Sequence, residues 1–238
     1  MPLALKDVCV QFDQTRALDG VSFRFPKTGL VALIGENGAG KSTLLDVFSG
    51  FIEQGSGVVE DADSGRRRSS PWLRHHCVRL HQSIVLPGDL TPAEYFKIAR
   101  FPDRGKWLFG GHAAVEDSLS MPEPVKRLLL QASIDLDRPI SEHSWGQQRV
   151  VGLVAVLIVD RKVLLLDEPF AGLSSEVAAL ASALVQESAR TKLVIFSEHD
   201  IQHALEIANT VLILKAGQLK ASLAGDEKRG ADILQYFG

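Results

Sequence analysis

Apolar residues fall along this chain in short runs that are separated by polar, glycine-containing turns. In residues 3–12 and 17–25 apolar and polar positions alternate, which predicts two strands around the polar turn 13–16. The run at 30–34 is apolar throughout and predicts a buried strand. The amino-terminal part of the chain is therefore predicted to form β structure.

The carboxyl-terminal part of the sequence alternates apolar runs with helical patterns. Its strands are predicted at 163–166, 193–196 and 211–214, and its helices at about 174–189 and 200–208. Strands that are apolar throughout and alternate with helices are typical of a parallel sheet covered on both faces. Functional groups then belong at the carboxyl ends of those strands.

The middle of the chain is mainly helical in its periodicity. A helical pattern extends from about 91 to 143, and the apolar stretch 145–159 predicts a buried helix, since a membrane span needs about 20 residues. The least regular region is about 60–76, whose arginines are expected in a solvated turn. Shorter strands are predicted at 58–59 and 77–81.

A glycine-rich turn carries the strongest chemical signal. It joins the strand at 30–34 to a helix that is predicted to begin near Gly40 and to end near Gly50, and it reads Gly35, Glu36, Asn37, Gly38, Ala39, Gly40, Lys41, Ser42, Thr43. Strand, glycine turn and helix with Gly-Lys-Ser at the junction form the phosphate-binding P-loop pattern. Glycines let backbone N–H groups surround a polyphosphate, Lys41 can reach its β- and γ-phosphates, and Ser42 can bind Mg²⁺.

Polar residues follow two of the predicted core strands. Asp167 and Glu168 come directly after the strand at 163–166, where carboxylates are costly unless they meet a cation or water. Given the P-loop, we expect Asp167 on the Mg²⁺ shell and Glu168 facing the attacking water, although an ordinary helix cap is the alternative. His199 follows the strand at 193–196; taken alone it is better explained as a structural histidine.

Composition narrows the class of protein. The 238 residues are 45% hydrophobic and 23% charged, as in a soluble globular protein. The net charge of -3 gives no reason to expect nucleic acid or an anionic membrane as an electrostatic partner. The two cysteines, Cys9 and Cys77, lack metal-site spacing and fit a reducing compartment, and the amino terminus lacks a signal-peptide pattern.

In this order the motifs resemble the nucleotide-binding domain of ATP-binding cassette (ABC) proteins, chiefly the ABC transporters, from about residue 3 to about 222. The resemblance implies an α/β fold: a P-loop NTPase core with a parallel sheet, an N-terminal antiparallel β subdomain and an α-helical subdomain. It implies one nucleotide-binding domain over 1–238, with the helical subdomain at about 83–143 and the antiparallel part at about 1–28 and 55–60.

The resemblance also assigns roles to single residues. It makes 35–43 the Walker A motif and 163–168 the Walker B motif, with ATP and Mg²⁺ as ligands. It implies that Phe12 stacks on adenine, the alternative being an aromatic side chain packed in a hairpin. It makes Gln82 the Q-loop glutamine, or else a plain polar strand end, and His199 the switch histidine on the γ-phosphate. The implied catalytic residues are Lys41, Glu168 and His199, and the implied Mg²⁺ ligands are Ser42, Gln82 and Asp167.

The sequence departs from the family at its signature, Leu-Ser-Gly-Gly-Gln, which completes the partner subunit's ATP site. Residues 143–147 read His143, Ser144, Trp145, Gly146, Gln147. Histidine replaces leucine, and tryptophan replaces the first glycine, which is expected to add a bulky ring and to lose access to positive φ. In the following D-loop, Ser174 stands where aspartate is usual.

These departures are one-sided. Groups that act on this chain's own ATP are all present, whereas Trp145 and Ser174 alter what the chain offers to a partner's ATP. The resemblance therefore leads to the hypothesis of a heterodimer with a second cassette that has a normal signature. A homodimer that tolerates Trp145 is the alternative.

The function that the resemblance implies is an ATP-binding and hydrolysing subunit that powers a separate membrane-spanning transporter subunit. It would work as an ATP-sandwiched dimer at the cytoplasmic face of the (inner) membrane, with a slight lean to export. One alternative is a soluble ABC ATPase acting on nucleic acid or the ribosome, although such proteins usually carry two cassettes or long coiled coils. Another is a regulatory cassette with a degenerate signature, against which Glu168 and His199 argue.

Overall fold

The computed structural model describes residues 2–83, 85–100, 121–230 and 233–236. The chain divides into two compact units. The first comprises Met1–Arg79, Arg161–Glu168 and Gln186–Gly238, and the second comprises Leu80–Asp160 and Pro169–Val185.

The described residues form strands and helices in an alternating order after the first hairpin. The strands are β1 (Leu3–Phe12), β2 (Thr15–Arg24), β3 (Gly29–Ile34), β4 (Ser56–Asp61), β5 (Cys77–Leu80), β6 (Val163–Asp167), β7 (Leu193–Ser197), β8 (Thr210–Lys215) and β9 (Gln218–Ala224). The helices are α1 (Lys41–Ser49), α2 (Ser70–His76), α3 (Pro92–Arg100), α4 (Glu123–Gln131), α5 (Trp145–Ile158), α6 (Ser175–Ala189), α7 (Ile201–Ile207) and α8 (Glu227–Gly230), with 3₁₀ turns at Ile140–Glu142 and Ile233–Tyr236.

Three strands form an antiparallel sheet in the order β2-β1-β4. Strand β1 pairs with β2 from Ala4↔Arg24 to Phe12↔Thr15 and with β4 through Leu3↔Asp61. The alternation that predicted the first two strands reflects burial in part: Val8, Val10 and Val21 are buried, whereas Leu3, Ala4 and Leu5 are buried in succession. The predicted hairpin and the predicted antiparallel β part are confirmed.

A second sheet of six strands has the order β5-β6-β7-β3-β8-β9. Strand β3 pairs in parallel with β7 and β8, and β6 pairs in parallel with β7. Every residue of β6 and β7 is buried, as expected from continuous apolar runs. The predicted parallel sheet is confirmed. The edge strand β9, antiparallel to β8, escaped prediction because only Leu223 among its residues is buried.

Aromatic and aliphatic side chains fill the core of the first unit. Phe25 packs edge-on against Phe23 and Phe48, with ring centroids 4.8 Å apart in both pairs. Phe48 lies on α1, so the helix that follows the glycine turn is anchored on the same core as the strands. This packing fixes where β3 ends and α1 begins.

Helix α5 is the central helix of the second unit. Its residues from Arg149 to Leu157 are buried, and α3 and α4 both contact it. The predicted buried helix at 145–159 is confirmed. Within the described ranges no helix is both long enough and apolar enough to span a membrane.

Of the region predicted to be least regular, 60–76, residues 62–69 are turn or irregular apart from one bridge at Arg67, as predicted, whereas the helix at its end was not predicted. Strand β4 continues to Asp61, and α2 begins at Ser70, with Pro71 in its first turn. Seven residues are too few for a helical period to be visible in the sequence. Of the helical pattern predicted for 91–143, the part at 101–120 lies outside the described residues, and α3 and α4 form in the remainder.

Candidate functional site

The glycine turn after β3 is built at positions where only glycine fits. A β-carbon on Gly35 would lie 2.4 Å from the carbonyl oxygen of Leu214, and one on Gly40 would lie 2.5 Å from that of Ala17. Gly40 also has φ of +102°, in the region that favours glycine. The neighbouring strands therefore hold this turn in one shape, as a preformed cradle requires.

The glycine turn leads directly into the first turn of α1. Gly40 is the N-cap and provides no side-chain hydrogen bond to the helix, so the first turn has no side-chain cap. Residues 36–38 and Ser42 are exposed, Thr43 is half-buried, and Ala39 is buried. An uncapped helix N-terminus beside exposed backbone is a site for an anion such as phosphate.

Lys41 spans the turn from the inside. Its Nζ donates to the carbonyl oxygens of Gly35 at 2.6 Å and Glu36 at 3.0 Å. Burial lowers the pKa of Lys41, while the charges of Glu168 and Asp167 act in the opposite direction. Both carboxylates that the sequence singled out therefore favour the charged form of Lys41.

Asp167 is held from both sides. Its side chain is buried; the Ser197 hydroxyl donates to Oδ1 at 2.6 Å and Arg79 Nη2 donates to Oδ2 at 3.0 Å. Arg79 also pairs with Asp46 of α1. Burial lowers the pKa of Arg79, and Asp167 opposes that shift. Sequence reasoning missed Arg79, Ser197 and Asp46, although an arginine inside the short strand β5 was a visible signal.

Glu168 and His199 meet at the ends of adjacent strands. Nε2 of His199 and Oε1 of Glu168 are 2.6 Å apart, with 45% and 14% of the two side chains exposed. Glu168 has φ of +49°, and its N–H donates to the Ser197 hydroxyl at 3.0 Å. A non-glycine residue in this region costs of order 1–3 kcal/mol, and such strain is typical of functional sites.

The oxygen donors near the turn suit Mg²⁺. The exposed Ser42 hydroxyl and the Asp167 carboxylate are the ligand types that this ion prefers, in sites completed by water and phosphate oxygens. No cluster of three or more His, Cys, Asp or Glu residues that could hold a metal occurs in the part of the chain described here.

Phe12 lies in the same unit as the turn, at the last position of β1. Its side chain is 46% exposed, so its ring remains accessible for stacking.

The remaining predicted residues belong to the second unit. Gln82 is exposed just after β5, and its carbonyl oxygen accepts a hydrogen bond of 2.7 Å from the buried Arg149. Ser144 caps α5: its hydroxyl accepts from the Gln147 N–H at 3.3 Å, and the Gln147 side chain accepts from the Ser144 N–H at 2.9 Å. This capping box starts the helix at the predicted signature.

Trp145 is the first residue of α5 and lies in the helical region. The loss of access to positive φ that was expected for tryptophan has no effect in this fold, because residue 145 does not adopt positive φ. The ring is 54% exposed, and the guanidinium of Arg149 lies 5.2 Å from its centroid. Gly146 follows within the first turn of the helix, half-buried. Trp145 therefore differs from the glycine of the family signature mainly in the volume of its ring.

Comparison with known sequences decides the family. The profile of the family described as "ABC transporter" matches residues 18–171, which include the glycine turn, the capping box and the carboxylates. The chain belongs to the ABC transporter family.

Curated relatives extend the match along the chain. The chain is 31% identical over 233 residues to the sulfate/thiosulfate import ATP-binding protein CysA of Vibrio vulnificus, covering 92% of this chain and 63% of that protein. It is 30% identical over 220 residues to a putative ribose/galactose/methyl galactoside import ATP-binding protein of Agrobacterium fabrum, covering 91% of this chain and 43% of that protein. This ABC chain thus spans about half the length of these relatives.

A solved structure supports the fold. A dimeric ATP-binding cassette in a post-hydrolysis state, bound to ADP and Pi, superimposes with a TM-score of 0.77 at 21% identity. The match covers 93% of this chain and 98% of that one.

Proposed function

We propose that this ABC chain binds and hydrolyses ATP as the energy-coupling subunit of a membrane transporter. The observation that carries the proposal is the pair formed by Glu168 and His199, 2.6 Å apart at the ends of adjacent strands, with the charge of Glu168 acting on the pKa of the P-loop Lys41. A carboxylate and an imidazole in that place serve the γ-phosphate and the water that attacks it.

The nucleotide would bind first through backbone and aromatic contacts. Gly35 to Thr43 form the cradle for the phosphates, and Phe12 offers its exposed ring to the adenine. Lys41 now donates to two carbonyl oxygens of the turn, so it is already directed into the cradle. When the nucleotide binds, Lys41 would release those two carbonyl oxygens and donate to phosphate oxygens instead.

The two carboxylates have different roles. Asp167 is 2% exposed and both of its oxygens accept hydrogen bonds, so it is poorly placed to take a proton from water. Glu168 is more exposed, and its Oε1 lies 2.6 Å from the imidazole of His199, which makes it the better general base. His199 then holds the terminal phosphate once the nucleotide is bound.

Ser42 and Asp167 would hold Mg²⁺, and the role of Gln82 as a ligand stays a prediction of the sequence. When bound, the ion neutralises charge on the phosphate oxygens.

The work of the cycle is proposed to be transport. The relatives are named as import ATP-binding proteins, so they do not support the export that the sequence analysis favoured, and import is the direction they suggest. The membrane-spanning subunit would be a separate partner, and the chain would sit against it at the cytoplasmic face of the membrane. The transported substrate is left open.

Dimerisation is proposed to be asymmetric. Ser144 and Gln147 form the capping box at this helix start, and the Trp145 ring beside it is half-exposed. We infer that this ring obstructs the approach of a partner's γ-phosphate. A second cassette with a normal signature would complete the ATP site on this chain's own Walker A. The site completed by Trp145 would mainly hold ATP.

The substitution Glu168→Gln tests the proposal, with steady-state phosphate release and nucleotide binding measured together. We expect turnover to fall at least about 10²-fold while ATP affinity stays within a few-fold of the unchanged chain. Glu187→Gln is the matched control, since it makes the same change at an exposed carboxylate that pairs with Arg190. Turnover that survives in Glu168→Gln would show that another group is the base.

A further inference from the structure

A second cavity lies at the opposite end of the parallel strands from the P-loop. It has a volume of about 390 Å³, within the range of small-molecule sites. Lys27 precedes β3, Lys162 precedes β6, and both line it. The P-loop follows the carboxyl end of β3, and six residues at about 3.3 Å each put roughly 20 Å between the two sites.

The charged side chains that line this cavity are cationic. Lys27, Lys162 and Arg68 line it, and none of its lining residues in the described part of the chain is acidic. The two lysines are exposed, and within the described ranges neither is assigned an ion pair. Arg68 is oriented by Asp61, whose Oδ2 accepts from Nη2 at 3.0 Å. Such a cluster favours an anion.

Aromatic groups form one wall. The Arg68 guanidinium lies 4.4 Å from the centroid of the Trp72 ring, and the Trp72 ring stacks on His76 at 3.8 Å with an interplanar angle of 13°. Nδ1 of His76 lies 2.8 Å from the Trp72 carbonyl oxygen, which can only accept. Nδ1 therefore donates to that oxygen, which holds the imidazole in its stacked position on Trp72.

The floor is apolar. It consists of the first residues of three strands, which are buried: Leu3, Val163 and Leu193. An apolar floor with an aromatic wall and a cationic rim suits a ligand that has both a flat apolar body and a negative group. An inorganic ion would leave the floor and the wall uncovered.

We propose that this cavity is a second ligand site, which binds a small organic anion: a planar or apolar body against Trp72, with its carboxylate or phosphate between Lys27 and Lys162. All of its lining residues lie within the first unit, so the site is complete in one compact body. It does not depend on the ATPase proposal, because it uses none of the residues of the P-loop site.

Phenyl phosphate is the probe, and the indole ¹H–¹⁵N signal of Trp72 is the readout, assigned with Trp72→Phe. The titration is run with MgADP present, so that phosphate binding at the P-loop does not compete. We expect a saturable shift with a Kd of the order of 1 mM, weaker binding of inorganic phosphate and no saturable shift with benzyl alcohol.

Two charge reversals of equal size distinguish binding in the cavity from a general effect of the protein's net charge. Lys162→Glu should weaken phenyl phosphate about tenfold, whereas Lys220→Glu, on an exposed β9 lysine outside the cavity, should change it less than twofold. A shift that stays linear to about 20 mM, or equal affinity in the two variants, would overturn the proposal. The Trp72 signal reports on this cavity whether or not the chain hydrolyses ATP.

Discussion

The ring of Trp145 lies against Gly172: a β-carbon built on residue 172 would come within 2.2 Å of the Trp145 Cζ3 atom. The predicted signature and the predicted D-loop, to which Gly172 belongs, are therefore packed together in this chain. Gly172 also has φ of +72°, so an alanine there meets two separate penalties.

The two penalties can be separated by unfolding in urea. We expect Gly172→Ala to destabilise by about 2–4 kcal/mol, of which about 1 kcal/mol comes from φ and the rest from the collision with the ring. In a Trp145→Gly background the cost should fall to about 1 kcal/mol. Gly225→Ala is the control for φ alone, because Gly225 has φ of +55° and nothing within 4 Å of an added β-carbon. Equal costs with and without Trp145 would contradict the packing.

Trp145→Gly should also raise ATP turnover of the dimer that contains this chain, since it frees the surface that approaches a partner's phosphate. The half-exposed ring makes the stability cost of its removal small compared with that of a buried tryptophan. Trp145→Phe keeps a large ring and should leave turnover low. Turnover that is unchanged by the glycine variant would exclude obstruction by the ring.

His199→Ala should lower phosphate release about 10²- to 10⁴-fold while ADP affinity is retained, because the imidazole contacts Glu168 and not the cradle. His203→Ala provides the comparison: His203 lies 3.5 Å from Glu198, on the neighbouring helix. Comparable loss in both variants would indicate a structural effect of this segment and not a role for His199 in catalysis.

Arg79 connects the carboxylates of Asp46 and Asp167 with only 6% of its side chain exposed. Removing it in Arg79→Met should cost about 3–5 kcal/mol of unfolding free energy, because two carboxylates lose their counter-charge. Arg79→Met/Asp46→Asn should recover part of that loss. Arg24→Met breaks an exposed pair and should cost less than about 1 kcal/mol. An equal cost for the two single variants would refute the role of Arg79 as counter-charge.

Asp61 is expected to make the stability of the fold depend on pH in the acid range. The Ser64 backbone N–H, the Ser64 hydroxyl and Arg68 hold the pKa of its carboxyl well below the ordinary value of 3.8. Since the pKa is depressed in the fold, the stabilisation is complete above that ordinary value and is lost as the pH falls towards the folded pKa. Asp61→Asn should therefore be less stable than the unchanged chain at pH 6, and the difference should shrink below pH 4. A pH-independent difference would contradict the cause given for the shift.

The main sheet was predictable where burial dominates the sequence. Strands β3, β6 and β7 are short runs of aliphatic residues, and such runs have few alternatives to a covered parallel sheet. Edge strand β9 was missed because it has one buried residue, and helix α2 because it is only seven residues long. Patterns that depend on burial vanish where an element is exposed or short.

Residues of the candidate site could be predicted only where they belong to a local sequence motif. Lys41, Asp167 and Glu168 follow from the strand, turn and helix around them. Arg79 lies 88 residues from Asp167, and Ser197 lies 30 residues from it. Pairs at such separations are brought together by sheet order, which the local sequence does not record, so the roles of these two residues could emerge only from the structure.

Co-purification of the tagged chain from its native membranes in mild detergent tests the central claim most directly. Mass spectrometry identifies the partners and their stoichiometry, and phosphate release is measured on the same sample. We expect a membrane-spanning subunit and a second, different cassette to co-purify with the chain, and we expect ATP hydrolysis that is lost in Glu168→Gln. Two copies of this chain alone on the membrane subunit would contradict the asymmetric pair. Recovery with ribosomes or nucleic acid, without a membrane protein, would contradict the transporter itself.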